Sequence, residues 1–85
     1  MSDVDLKKVY RWQCRRGLKE IEIALNDYLD RFFESDSEAM RIQFGRLLKE
    51  QDADIFEWFT GRSLPQDTDL AEFIPHMLER CRRPH

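Results

Sequence analysis

Leu18, Ile21, Leu25, Tyr28, Leu29 and Phe32 recur at steps of three or four residues without a miss. That is the spacing of one face of an α-helix, and it predicts a long amphipathic helix over about 18–34. Such a stripe must be buried against other elements, so it constrains the whole chain. Ile23 breaks the pattern, lying on the far side among Glu20, Asp27 and Asp30. Either a second layer covers that face or Ile23 is an exposed apolar contact.

The remaining segments carry the same period. A first helix is expected over about Val4 to Arg15, with Leu6, Val9, Tyr10 and Gln13 on one side. Lys7, Lys8, Arg11 and Arg15 lie opposite, and Trp12 falls at the border. Gly17 supplies a stop, because glycine tolerates the left-handed conformation that closes many helices. Ser35 and Glu38 stand at capping-box spacing and predict a third helix running to about Glu50. Its apolar face is Met40, Phe44, Leu47 and Leu48, and Gly45 within it invites a close helix contact. Asp52-Ala53-Asp54 opens a short fourth helix bearing Ile55, Phe56, Trp58 and Phe59, which Gly61 ends. After a loop containing Pro65, Asp69 and Glu72 are expected to cap a fifth helix. Leu70, Phe73, Ile74, Met77, Leu78 and Cys81 form its face, and Pro75 should kink or split it. Strand signals and internal repeats are absent. The fold class expected is therefore all-α, a compact bundle of about five short helices filled by aromatics of helices 2, 4 and 5.

At 85 residues this is one domain, expected over 1–85 with 1–3 and 83–85 frayed. Apolar residues make up 41% and charged residues 36%, a soluble, helix-prone balance. No apolar run approaches the roughly 20 residues that span a bilayer. The acidic start, Met1-Ser2-Asp3-Val4-Asp5, reads as neither a signal nor a transit peptide, which points to the bacterial cytoplasm. Cys14 and Cys81 fall on or beside apolar faces and are expected as buried thiols, not as a disulfide. A domain this small has little room to enclose a nucleotide, and no nucleophile is paired with a base. An independent enzyme is therefore not expected, and no catalytic residue is assigned.

Residues 15–20, Arg-Arg-Gly-Leu-Lys-Glu, mark the corner between the first two helices. One reading is a helix break with a local Arg16–Glu20 ion pair, worth tenths of a kcal/mol when exposed. The other is a docking corner. There Gly17 lets another backbone approach, Arg16 offers a planar fork of donors, and Glu20 offers an acceptor at a helix start.

The order Trp12-x-Cys14-Arg15-Arg16-Gly17-Leu18-Lys19-Glu20 resembles the signature of the succinate dehydrogenase assembly factors. The likeness continues in Arg46-Leu47-Leu48 and in Asp52-x-Asp54-Ile55-Phe56-Glu57-Trp58, and spans nearly the whole chain. Glu22 stands where many members carry Asp, and Pro75 is not expected of the family. The resemblance implies a small helical protein that promotes covalent attachment of FAD to the flavoprotein subunit of succinate dehydrogenase, and also of the related fumarate reductase. It implies a monomer that holds the client in an attachment-competent conformation. The FAD belongs to the client, and the factor itself stably binds no cofactor. Arg16, Gly17 and Glu20 would form the partner-binding set, flanked by Trp12, Arg15, Lys19 and Arg11.

Other residues suggest less. His76 and His85 have no neighbours at metal-ligand spacing, so no metal site is expected. Trp58 and Phe59 share their spacing with Ile55 and read as core. Residues 1–20 hold six Lys/Arg against three acids, while residues 21–60 hold four against ten. The basic first helix leaves a rival function, a small nucleic-acid-binding regulator. The net charge of −3 and the lack of a recognition helix oppose it.

Overall fold

A computed structural model describes residues 3–82, with five α-helices. They are α1 (Asp3–Gln13), α2 (Lys19–Arg31), α3 (Glu38–Leu47), α4 (Asp52–Phe59) and α5 (Thr68–Cys81). The expected all-α bundle is what forms, and no strand occurs among the described residues. The expected fraying at 83–85 and at the first two residues lies outside the described residues, while Asp3 begins α1.

The centre of the long stripe behaves as its period requires, while Leu18, its expected first member, precedes α2 and is exposed. Ile21, Leu25, Tyr28 and Leu29 of α2 are fully buried. They meet Leu70, Phe73, Ile74 and Met77 of α5 and Phe44 and Leu47 of α3 in one core. The Tyr28 ring lies 4.8 Å from Phe44 and 5.5 Å from Phe73, centre to centre. Ile23 is 60% exposed, so no second layer covers the outer face of α2.

The ends of the helices differ from expectation in informative ways. α2 stops at Arg31, three residues early, and the Phe33 N–H reaches back to the Tyr28 carbonyl at 3.0 Å. This wider turn rotates the chain, so Phe33 is buried while Phe32, next in the helical period, is only half-buried. Because residues 32–36 are spent on that turn, Ser35 does not cap α3. Its hydroxyl donates instead to the Phe32 carbonyl at 3.2 Å. Ser37 is the cap, accepting the Met40 N–H at 3.2 Å. α3 then ends at Leu47 rather than Glu50. α5 likewise begins earlier than expected, capped by Asp67, which accepts the Leu70 N–H at 3.0 Å. Asp67 also receives both terminal nitrogens of Arg46, at 3.2 and 2.6 Å, which anchors the 61–67 loop to α3.

Pro75 neither splits nor ends α5. It lies on an exposed face, where the carbonyl deprived of its donor can be hydrated. The aromatics of α4 are also displaced from expectation. Ile55 alone of that helix is fully buried, and Phe56, Trp58 and Phe59 pack at the rim of the core. The inner aromatic cluster comes from α2, the turn after it, α3 and α5, with Tyr10 of α1 set edge-on to Phe33 and Phe44. Cys14 is fully buried and Cys81 half-buried, and both are free thiols, as expected.

Candidate partner-docking corner

α1 lies antiparallel along α2, joined by charge. Lys7 pairs with Glu34 at 2.8 Å. Arg11 donates to Asn26 at 2.6 Å and pairs with Asp30. The basic first helix is thus largely answered by acids of α2, which does not favour a phosphate-binding surface. Arg11 serves this internal seam.

Beyond Gln13 the chain leaves the helix and turns through residues 14–18 before α2 begins. α1 ends two residues short of the expected Arg15, and Gly17 is not its stop. Among the described residues only Gly61 adopts the left-handed backbone. The turn is held by side chains. The Arg16 guanidinium donates through Nε to the Gln13 carbonyl at 3.0 Å and through Nη1 to the Glu50 carbonyl at 2.9 Å. Nη1 also meets Asp52 Oδ1 at 3.3 Å, and Nη2 donates to the Leu48 carbonyl. Those carbonyls close the C-terminal end of α3, where a cation is well placed. The backbone N–H of Arg16 is taken by Glu22 Oε1 at 3.1 Å and that of Gly17 by Asp52 Oδ2 at 2.9 Å.

The local Arg16–Glu20 ion pair therefore does not form. The Arg16 side chain is 11% exposed and its carboxylate partner is Asp52, 36 residues along the chain. Glu20 stands exposed on the first turn of α2, and its neighbour Glu22 makes the contacts to the corner. Lys19 is also exposed, 3.9 Å from Glu22. Trp12 is 68% exposed, with the Arg15 guanidinium 4.8 Å above its ring. Leu18 and Ile23 add exposed apolar surface. The expected partner-binding residues thus divide: Trp12, Arg15, Gly17, Lys19 and Glu20 face solvent, whereas Arg11 and Arg16 are engaged within the fold. Glu22 and Asp52 were not among them. Nothing local in the sequence links Asp52 to the corner, where its place in a first helical turn reads as dipole compensation.

Cys14 lies directly beneath this surface. Burial raises its pKa to about 11, against the opposing pull of Arg11 and Arg16, so the thiol is packed and protonated rather than nucleophilic. His76 sits elsewhere, 2.7 Å from Asp36, which also accepts from the Tyr28 hydroxyl. No metal-holding group of His, Cys, Asp or Glu occurs among the described residues. No helix among them is long and apolar enough to cross a membrane.

Residues 8–81 match the family described as flavinator of succinate dehydrogenase. The chain belongs to that family. Among its relatives, the FAD assembly factor SdhE of Idiomarina loihiensis is 37% identical over 76 residues, covering 89% of this chain and 84% of that protein. The FAD assembly factor SdhE of Colwellia psychrerythraea is 32% identical over 72 residues, or 85% and 79% of the two chains. That of Pseudomonas aeruginosa is 31% identical over 79 residues, 93% of each. The matched span of this flavinator family runs from Lys8 to Cys81 and so includes both the corner and the α3–α4 turn that holds it.

Proposed function

We propose that this protein is an FAD assembly factor that binds the flavoprotein subunit of succinate dehydrogenase, with that of fumarate reductase as a second client. It acts in the bacterial cytoplasm as a monomeric, non-catalytic binding protein. FAD is the client's cofactor. The observation that carries the docking surface is Gly17. Its backbone is not left-handed, and a Cβ built there would meet only Asp52 Oδ2, at 3.4 Å, an ordinary contact. The fold of this chain therefore gives little reason for glycine at an exposed position. A partner that packs its own backbone against this spot gives one.

In this reading Trp12 and its stacked Arg15 supply the amphipathic anchor, an aromatic–arginine pair of the sort that dominates protein interfaces. Lys19 and Glu20 supply a charged rim around it. Binding favours the client conformation in which its histidine meets the flavin. Raising such a conformer from about 1% to about half of the population needs a differential affinity of roughly 100-fold. A single well-packed aromatic anchor with a charged rim can supply this.

The test separates docking from folding. Gly17→Arg should keep the helical spectrum and melting temperature close to those of the wild type while abolishing capture of the flavoprotein subunit. Covalent flavin on the client, read by in-gel fluorescence in a strain carrying only the variant, should fall to the level of the deletion strain. Undiminished flavinylation in the deletion strain would refute the assignment.

A further inference from the structure

We propose that Asp52 is a positioning residue for client docking, acting through Arg16 and Gly17 and not by touching the client itself. The proposal rests on the docking reading above. Its basis is the way one carboxylate is divided: Oδ1 meets Arg16 Nη1 at 3.3 Å, and Oδ2 accepts the Gly17 N–H at 2.9 Å. Asp52 is the first residue of α4, immediately after the α3–α4 turn whose carbonyls Arg16 also holds. One ion pair thus joins the α1–α2 corner, the end of α3 and the start of α4.

Arg16 has few donors left to offer a partner. Four of its five N–H groups are already directed at Gln13, Leu48, Glu50 and Asp52. A client that gripped the guanidinium would have to dismantle the α3–α4 turn first. The function of Arg16 is therefore to hold the angle at which Trp12, Arg15, Gly17 and Lys19 are displayed, and Asp52 is the counterpart that makes this hold directional. Residues 15–17 lie outside both helices, so the corner has no continuous helical ladder to fix its shape. The consecutive amides of Arg16 and Gly17 are instead held by carboxylates from two different elements, Glu22 and Asp52. Removing Asp52 frees the Gly17 amide and leaves Arg16 without its countercharge, while the core beneath is untouched.

The measurement is the affinity of Asp52→Ala and Asp52→Asn for the purified flavoprotein subunit of succinate dehydrogenase. It is paired with hydrogen exchange and the ¹⁵N shift of the Gly17 amide. Asp54→Ala is the control, because Asp54 is also a first-turn acid of α4 and lacks the contacts to the corner. Asp52→Ala should weaken binding about tenfold or more, speed exchange at Gly17 selectively, and leave helicity in place. Asp52→Asn, which can still accept from Gly17, should recover part of the affinity and of the protection. Arg16→Ala combined with Asp52→Ala should lose less than the two single losses added together, because the shared ion pair is removed once, while the Gly17 bond still separates the double variant from Arg16→Ala alone. Wild-type affinity in Asp52→Ala with an exposed Gly17 amide overturns the proposal, as does an equal loss in Asp54→Ala. Should Asp52→Ala fail to fold, Asp52→Asn decides: full affinity with faster exchange at Gly17 overturns the proposal as well. If Gly17→Arg also binds normally, the docking reading itself has failed. If Gly17→Arg loses binding and Asp52→Ala does not, only the role of Asp52 has.

Discussion

The three glycines answer three different physical demands. At Gly45 the space is taken: Tyr10 crosses it, with Cζ 2.9 Å from where a Cβ would stand and the hydroxyl closer still. The Tyr10 ring is held edge-on between Phe33 and Phe44 and cannot easily withdraw. Gly45→Ala should therefore destabilise the protein by about 1–2 kcal/mol, overpacking outweighing the better helix propensity of alanine. Gly61 has open space around it but a φ of 75°. It closes α4 with paired bonds, Gly61 N–H to the Trp58 carbonyl at 3.3 Å and Arg62 N–H to the Glu57 carbonyl at 2.9 Å. Gly61→Ala should cost about 1 kcal/mol through backbone strain alone. Urea titrations of both variants check these values. Gly17→Ala, which meets neither obstacle, should lie within about 0.5 kcal/mol of the wild type. Glycine as a helix stop was legible at Gly61 from its place after an apolar run. At Gly17 the same signal misled, because the chain had already left the helix after Gln13.

At the scale of the element, apolar faces were legible and helix ends were not. The period of α2 and α5 named the residues that fill the core, since burial of a stripe is a property of many residues at once. It failed at the ends of the α2 stripe, where Leu18 is exposed and Phe32 half-buried. Ends depend on single competing hydrogen bonds, such as the one that draws Phe33 back to Tyr28 and passes the cap from Ser35 to Ser37. The turn so formed carries Asp36 into contact with Tyr28 of α2 and His76 of α5. His76 is 40 positions from Asp36, so no local spacing announces their meeting. Burial acts to raise the Asp36 pKa, but hydrogen bonds from Tyr28, His76 and the Ser37 N–H outweigh it and hold the carboxyl below its ordinary range. A depressed folded-state pKa means stability that is present above the unfolded value and lost as pH falls through the folded one. Melting temperature should therefore drop as the solution is acidified below about pH 4. Asp36→Asn should start lower at neutral pH and show a shallower acid loss.

For the molecule as a whole, the sequence showed a basic start and an acidic middle, and the fold brings the two together. Lys7, Arg11 and Arg16 meet Glu34, Asp30 and Asp52, so much of the charge asymmetry of the chain is answered by pairs within the molecule, the first two of them on its surface. Which charges stay free for a partner follows from this three-dimensional pairing and could not be read from one dimension. The buried thiols report on the same cohesion. Cys14 is inaccessible and protonated, and burial raises Cys81, half-buried at the end of α5, to about 12. A thiol reagent at neutral pH should label Cys81 first, and Cys14 only as fast as the bundle opens. Rapid labelling of Cys14 in native protein would show that the corner opens without global unfolding.

The reach of Arg16 carries a consequence for the order in which the protein comes into being. Its acceptors at Leu48, Glu50 and Asp52 lie 32 to 36 residues further along the chain. A ribosome delivers Trp12, Arg15 and Lys19 well before those acceptors exist, and the tunnel delays their meeting further. Until then the corner is an unformed bend with the right residues in the wrong arrangement. The geometry of the corner is completed only when more than half of the chain has emerged, so an abandoned N-terminal fragment bears the signature without its shape.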